Sequence, residues 1–176
     1  MTPRSDAPGP ATAARRRTIY STPSDRELVI TRTFDAPRSL VWSAFTEPRH
    51  VRNWQTGPNG FTMLTCEIDL RAGGAWRYVW QNAHGREFGA TGTYREVEPP
   101  GRIVYVTDRD GGEQTNTTTF TEENGSTTVT STLLFPDKAS RDKGLPLAKL
   151  GTDSNYAHLD GYFTSLNNPP ARRTTE

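Results

Sequence analysis

Residues 69–80 read DLRAGGAWRYVW, with Gly73 and Gly74 standing directly before Trp76, Tyr78 and Trp80. Successive side chains of a strand point to opposite faces. A spacing of two therefore puts all three rings on one face and Ala75, Arg77 and Val79 on the other. A face of bulky rings is either filled core or the wall of a cavity. Choosing between them comes close to choosing between a structural module and a ligand-binding protein.

Strand character continues on both sides. Strands are predicted near 62–70, 75–82, 88–97, 102–109, 114–122 and 126–135. Breaks fall at Gly73-Gly74, His84-Gly85, Pro99-Pro100-Gly101, Gly111-Gly112 and Asn124-Gly125. Connections this short favour an antiparallel meander. The threonines at 117–119, 127, 128, 130 and 132 suit strands because branched side chains pack well on a pleated surface.

Upstream, LVITRTFDA (28–36) alternates as a further strand. Asp35 and Pro37 then read as cap and first turn of a helix with Leu40, Val41, Trp42 and Phe45 on one face. Pro48 ends that helix, and 48–54 reads as a second short one. Downstream, the charge-rich DKASRDKG leads into a long helix expected from Pro146, in its first turn, to Leu166. There Ala148, Gly151 or Thr152, Asn155 or Tyr156, Leu159 and Phe163 keep helical spacing. The order is strand, two short helices, six strands, one long helix. This is an α+β domain whose antiparallel sheet of seven strands needs a cover, which the last helix supplies. Strong curvature of that sheet leaves a gap beneath the helix, a candidate pocket.

The length of 176 residues suits one domain, at 25–166, between a disordered N-terminal tail (1–24) and a flexible C-terminal one (167–176). A net charge of +1 draws the chain neither to nucleic acid nor to an anionic membrane. No apolar run approaches the roughly 20 residues that span a bilayer, and no secretory signal is visible, so a cytoplasmic setting is expected. The single cysteine, Cys66, excludes an internal disulfide and alternates with Ile68 and Leu70 as a small buried hydrophobe. His50, His84 and His158 lack ligand spacing, so no metal is expected. No nucleophile elbow and no phosphate-cradling glycine loop is present. Glu67, Asp69 and Arg71 share a strand face, where a tuned carboxylate competes with a simpler strand-edge salt bridge. Glu96 reads the same way. No catalytic residue and no cofactor follows, and binding is favoured over catalysis.

Three stretches, FDAPRSLVWSAFTEPRHVRNW (34–54), DLRAGGAWRYVW (69–80) and GTYREVEPPGRIVYV (92–106), resemble the family of homologues of the activator of heat-shock-protein ATPase. That family lies within the START and birch-pollen-allergen superfamily. The matching positions are Pro37, Trp42, Phe45, Pro48, Trp54, Asp69, Arg71, Gly73, Gly74, Trp76, Gly92, Glu96, Pro99 and Pro100. The resemblance implies a helix-grip fold: a curved sheet wrapped around the long helix, with Trp76, Tyr78 and Trp80 facing inward. The last helix departs from the pattern, carrying Pro146 and no methionine, so no ligand identity carries over.

The ligand-binding set expected on this basis is Phe45, Trp54, Trp76, Tyr78, Trp80, Phe88, Gly92, Tyr94, Tyr105, Tyr156, Leu159 and Phe163. The expected function is a monomeric or weakly dimeric binding protein for a hydrophobic or polycyclic small molecule. A sharper version, implied by superfamily members that resemble self-sacrifice resistance proteins, is sequestration of a reactive enediyne with cleavage near Gly89 or Gly92. The alternatives are a polyketide cyclase-like enzyme and a co-chaperone-like regulator of a heat-shock ATPase.

Overall fold

A computed structural model describes residues 17–58, 60–109 and 112–167. One antiparallel sheet of eight strands runs in the spatial order β1-β2-β8-β7-β6-β5-β4-β3. The strands are β1 (Ile19–Ser21), β2 (Glu27–Phe34), β3 (Thr62–Ile68), β4 (Ala75–Gln81), β5 (Glu87–Glu98), β6 (Arg102–Arg109), β7 (Gly112–Glu123) and β8 (Ser126–Leu134). Helices α1 (Arg38–Thr46) and α2 (Pro48–Trp54) follow β2, and α3 (Lys138–Asn167) closes the domain. This is the expected helix-grip architecture.

The sheet has one strand more than expected. The additional strand, β1, lies within residues 1–24, which read as tail, and pairs antiparallel with β2 from Ile19↔Thr31 to Ser21↔Val29. Residues 1–16 and 168–176 lie outside the described residues. Three residues are too few to show alternation, and the anchor is a distant partner. The Tyr20 hydroxyl donates to the Asp153 carboxylate on α3 at 2.7 Å, and the Lys149 ammonium sits 5.3 Å from its ring centre. Tyr20→Phe is expected to cost about 0.5–1 kcal/mol, read as a lower urea midpoint. An unchanged midpoint would mean that β1 is held by its backbone ladder alone.

Helix α1 starts from Pro37, whose carbonyl accepts from Leu40 and Val41 at 3.0 and 3.1 Å. Asp35 does not cap it and instead accepts from Ser126 of β8. The short helices lock together through the Trp54 indole, which donates to the Ala44 carbonyl at 2.8 Å.

The long helix begins eight residues earlier than expected and carries Pro146 in its interior. Asp137 caps it by accepting from the Ser140 amide at 2.7 Å, and that bond holds its carboxyl below the usual range. Glycine and proline lower the propensity of this first stretch, but packing overrides them. The Phe135 ring lies against Gly144, close enough that a Cβ there would stand 2.9 Å from it. Further along, Asp160 pairs with the buried Arg32 of β2, and Tyr162 bonds His50 Nδ1 at 2.7 Å. Asn155 accepts from the Gly57 amide at 2.7 Å. These ties seat α3 across the concave face of the sheet.

Curvature comes from register shifts in β3 between Met63 and Thr65 and in β5 between Tyr94 and Glu96. The glycine pair of the opening stretch shapes the turn into β4. Gly73 holds φ +79°, and a Cβ on Gly74 would stand 2.0 Å from the Asp69 carbonyl oxygen. Both are tied to Tyr94 of β5, through Gly73 N to Tyr94 O and Tyr94 N to Gly74 O. The paired glycines therefore build a tight three-strand corner.

Candidate functional site

The curved sheet and α3 do not close completely on one another. Between them lies a cavity of about 340 Å³, within the range of roughly 300–1,000 Å³ typical of ligand pockets. Trp76, Tyr78 and Trp80 line it from β4, which answers the question of the opening stretch: the ring face is a cavity wall. The rings support one another, with Trp76 to Tyr78 centroids at 5.0 Å, Tyr78 to Trp80 at 5.7 Å and Trp76 edge-on to Tyr105 at 5.6 Å. The Trp80 indole donates to the Gln55 carbonyl at 2.7 Å and is fixed in place.

Of the residues expected from sequence, Phe45, Trp54, Trp76, Tyr78, Trp80, Tyr94, Tyr105 and Tyr156 line this cavity. Four do not. Phe88 pairs with Trp80 at the far end of β4, beyond the cavity, where it is exposed and packs on Phe61 at 5.7 Å. Gly92 sits beneath the Trp76 indole, and a Cβ there would stand 2.6 Å from Trp76 Nε1. Leu159 and Phe163 follow Tyr156 along α3 into the closed core, Phe163 packing edge-on to Phe34 at 5.9 Å.

Sequence reasoning missed the opposite wall. Gln114, Asn116 and Thr118 of β7, Thr107 of β6 and Ser131 of β8 all line the cavity. The signal was present, because Phe120 faces inward and strand parity then turns 118, 116 and 114 the same way. Gln114 Nε2 donates to Asn116 Oδ1 at 2.7 Å, and Asn116 Nδ2 donates to Thr107 Oγ1 at 3.2 Å. Thr118 and Ser131 hydroxyls lie 3.1 Å apart, and Ser131 bonds the Tyr156 hydroxyl. One wall is aromatic, and the other is amide and hydroxyl.

Among the described residues, no Asp, Glu, Lys, Arg or His lines the cavity. Burial pushes the Tyr78, Tyr94 and Tyr156 hydroxyls well above the usual tyrosine range, so they stand as neutral donors near pH 7. The carboxylates weighed from sequence lie elsewhere: Asp69 pairs with Arg71 at 2.8 Å, Glu67 with Arg77 at 3.8 Å and Glu96 with Arg102. His158 is partly buried, with Nδ1 at 3.0 Å from the Thr56 hydroxyl. Among the described residues, no group of three His, Cys, Asp or Glu could hold a metal ion, and no helix is long and apolar enough to cross a membrane.

A second space of about 790 Å³ adjoins the first. Trp80, Ala90, Thr107, Gln114 and Leu147 line both, so they form a neck between them. Outside the neck stand Phe135, Pro136, Ala139, Lys143 and Gly144.

The family model described as Activator of Hsp90 ATPase homolog 1-like protein matches residues 35–164, which hold α1, α2, all but the last three residues of α3 and nearly the whole cavity wall. The chain belongs to this family. Similar folds occur in a protein from Rhodobacter sphaeroides (28% identity, 84% of this chain, 98% of that one, TM-score 0.78) and in one from Mycobacterium smegmatis (22%, 85% and 98%, 0.75). A protein from Nitrosomonas europaea is similar as well (21%, 82% and 99%, 0.73). No curated protein matches the sequence. Within the family fold, the cavity between sheet and helix is the feature consistent with ligand binding.

Proposed function

We propose that this domain is a binding protein that holds a neutral, flat, hydrophobic or polycyclic molecule between sheet and helix, without chemistry. One observation carries the reading: a cavity of about 340 Å³ has an aromatic wall, a hydrogen-bonding wall and no ionisable side chain except tyrosine on its described lining. Burial of a flat apolar frame against Trp54, Trp76 and Trp80 supplies affinity on the order of 25 cal/mol per Å², and the opposite wall fixes orientation. Tyrosines held protonated, with no carboxylate or histidine beside them, do not make a general base. Binding therefore ranks above the cyclase-like reading. Sequestration of a reactive enediyne is a special case of the same reading, and its mark is chain cleavage on exposure to the compound. Of the two glycines considered, Gly89 stands at the outer space, whereas Gly92 is covered by Trp76.

Gly151 offers a test that spares the fold. It lines the cavity from α3, and a Cβ there meets nothing within 4 Å. Gly151→Phe is expected to fill the cavity while keeping the helix, since replacing a helix-interior glycine by phenylalanine gains about 0.5 kcal/mol of propensity. Native mass spectrometry against pyrene-type and polyketide-like compounds should show a bound adduct with the wild type and at least a tenfold loss with the variant. Adducts of equal strength on both proteins, or on neither, would remove the cavity as the binding site.

A further inference from the structure

Resting on that reading, we propose that the buried amide of Gln114 is a recognition subsite that takes a neutral hydrogen-bond donor, a hydroxyl or N–H carried by the bound ring system. Gln114 is 2% exposed and lines both the inner cavity and the outer space, so any molecule passing the neck meets it. The orientation of its amide follows from its neighbour. Asn116 Nδ2 lies 3.3 Å from the Gln114 main-chain oxygen, which can only accept, so the Asn116 nitrogen faces that way. Its Oδ1 then receives Gln114 Nε2 at 2.7 Å. With the nitrogen committed, Gln114 Oε1 is left as a buried acceptor with no protein partner.

Interiors rarely leave such an oxygen unmatched, and a ligand donor completes it. Thr107 sits behind Asn116 and holds the whole string at a fixed depth. The donor must be neutral. No cation or anion stands on the described lining of the inner cavity, and Lys143 lines only the outer space beyond the neck. An unpaired charge carried into the inner cavity is strongly disfavoured. The ligand class is therefore a phenolic or N–H-bearing polycycle, and carboxylated relatives are rejected.

Isothermal titration of the intact chain with hydroxypyrene, methoxypyrene and pyrene carboxylate tests this. The wild type should bind hydroxypyrene roughly tenfold more tightly than its methyl ether and the carboxylate on the order of a hundredfold more weakly than the phenol. Gln114→Leu, with Gln114→Met in reserve should it misfold, should bring phenol and ether to the same affinity. Equal binding of phenol and ether to the wild type overturns the subsite and leaves the cavity reading standing. A preference that survives in the variant overturns the assignment to Gln114. No pyrene bound to any of the proteins overturns the cavity reading and the subsite with it.

Discussion

Gly92→Ala lowers the thermal midpoint by at least about 6–12 °C, the equivalent of about 3 kcal/mol for a domain of this size. Gly92 pairs with Trp76 across β4 and β5, and the glycine leaves the room that the indole occupies. A Cβ at this position would stand 2.0 Å from the Val106 carbonyl oxygen and 2.6 Å from Trp76 Nε1. Neither neighbour yields cheaply. Val106 belongs to the β5–β6 ladder, and Trp76 is wedged between Tyr78 and Tyr105. Relief therefore requires parting two strands or expelling the ring into the cavity. Circular dichroism melts of wild type and variant measure the effect, and a midpoint within two or three degrees of wild type would show the corner to be far softer than its geometry.

Alkali should unfold the domain over a narrow range starting near pH 10. Burial is the first cause that raises the hydroxyls of Tyr78, Tyr94 and Tyr156, and in the unfolded chain each titrates near pH 10. Above that value the unfolded state has released these protons and the folded state still holds them. Fewer protons on the unfolded chain means that stability falls as pH rises. The stabilisation is complete below pH 10 and is lost as pH climbs towards the folded values. Each group contributes a slope of roughly 1.4 kcal/mol per pH unit, so three together give about 4, set against a total of 5–15 for typical domains. Urea midpoints at pH 8, 10 and 11 read the slope. Stability that stays level from pH 8 to 11 would mean that water reaches these rings.

The strands were legible because alternation is a strong pattern, and seven of the eight lie within about two residues of the expected bounds. What escaped depends on partners far away in sequence. Nothing local in Ile19–Ser21 announces a strand, since its hold comes from Asp153, more than a hundred residues on. The start of α3 was hidden for the same reason: Gly144 and Pro146 argue against helix, and only the Phe135 ring seated on Gly144 makes the glycine useful. In the cavity, the aromatic wall stood out because large rings at a spacing of two are conspicuous. The amide wall did not, because Gln114 and Asn116 sit among threonines, which mark a strand without marking which of its faces is covered. Phe88 shows the reverse error: parity gave its face correctly, but how far the cavity extends along a strand depends on where α3 crosses.

The chain carries four tryptophans, and Trp54, Trp76 and Trp80 all stand on the cavity wall, while Trp42 packs edge-on to Phe120 at 5.4 Å in the core. Most of the ultraviolet emission of this protein therefore originates within touching distance of whatever the cavity holds. An absorbing guest drains that emission by energy transfer and a transparent one shifts its colour by displacing polar surroundings. The domain is in this sense a built-in optical reporter of its own occupancy, readable in dilute solution without a label.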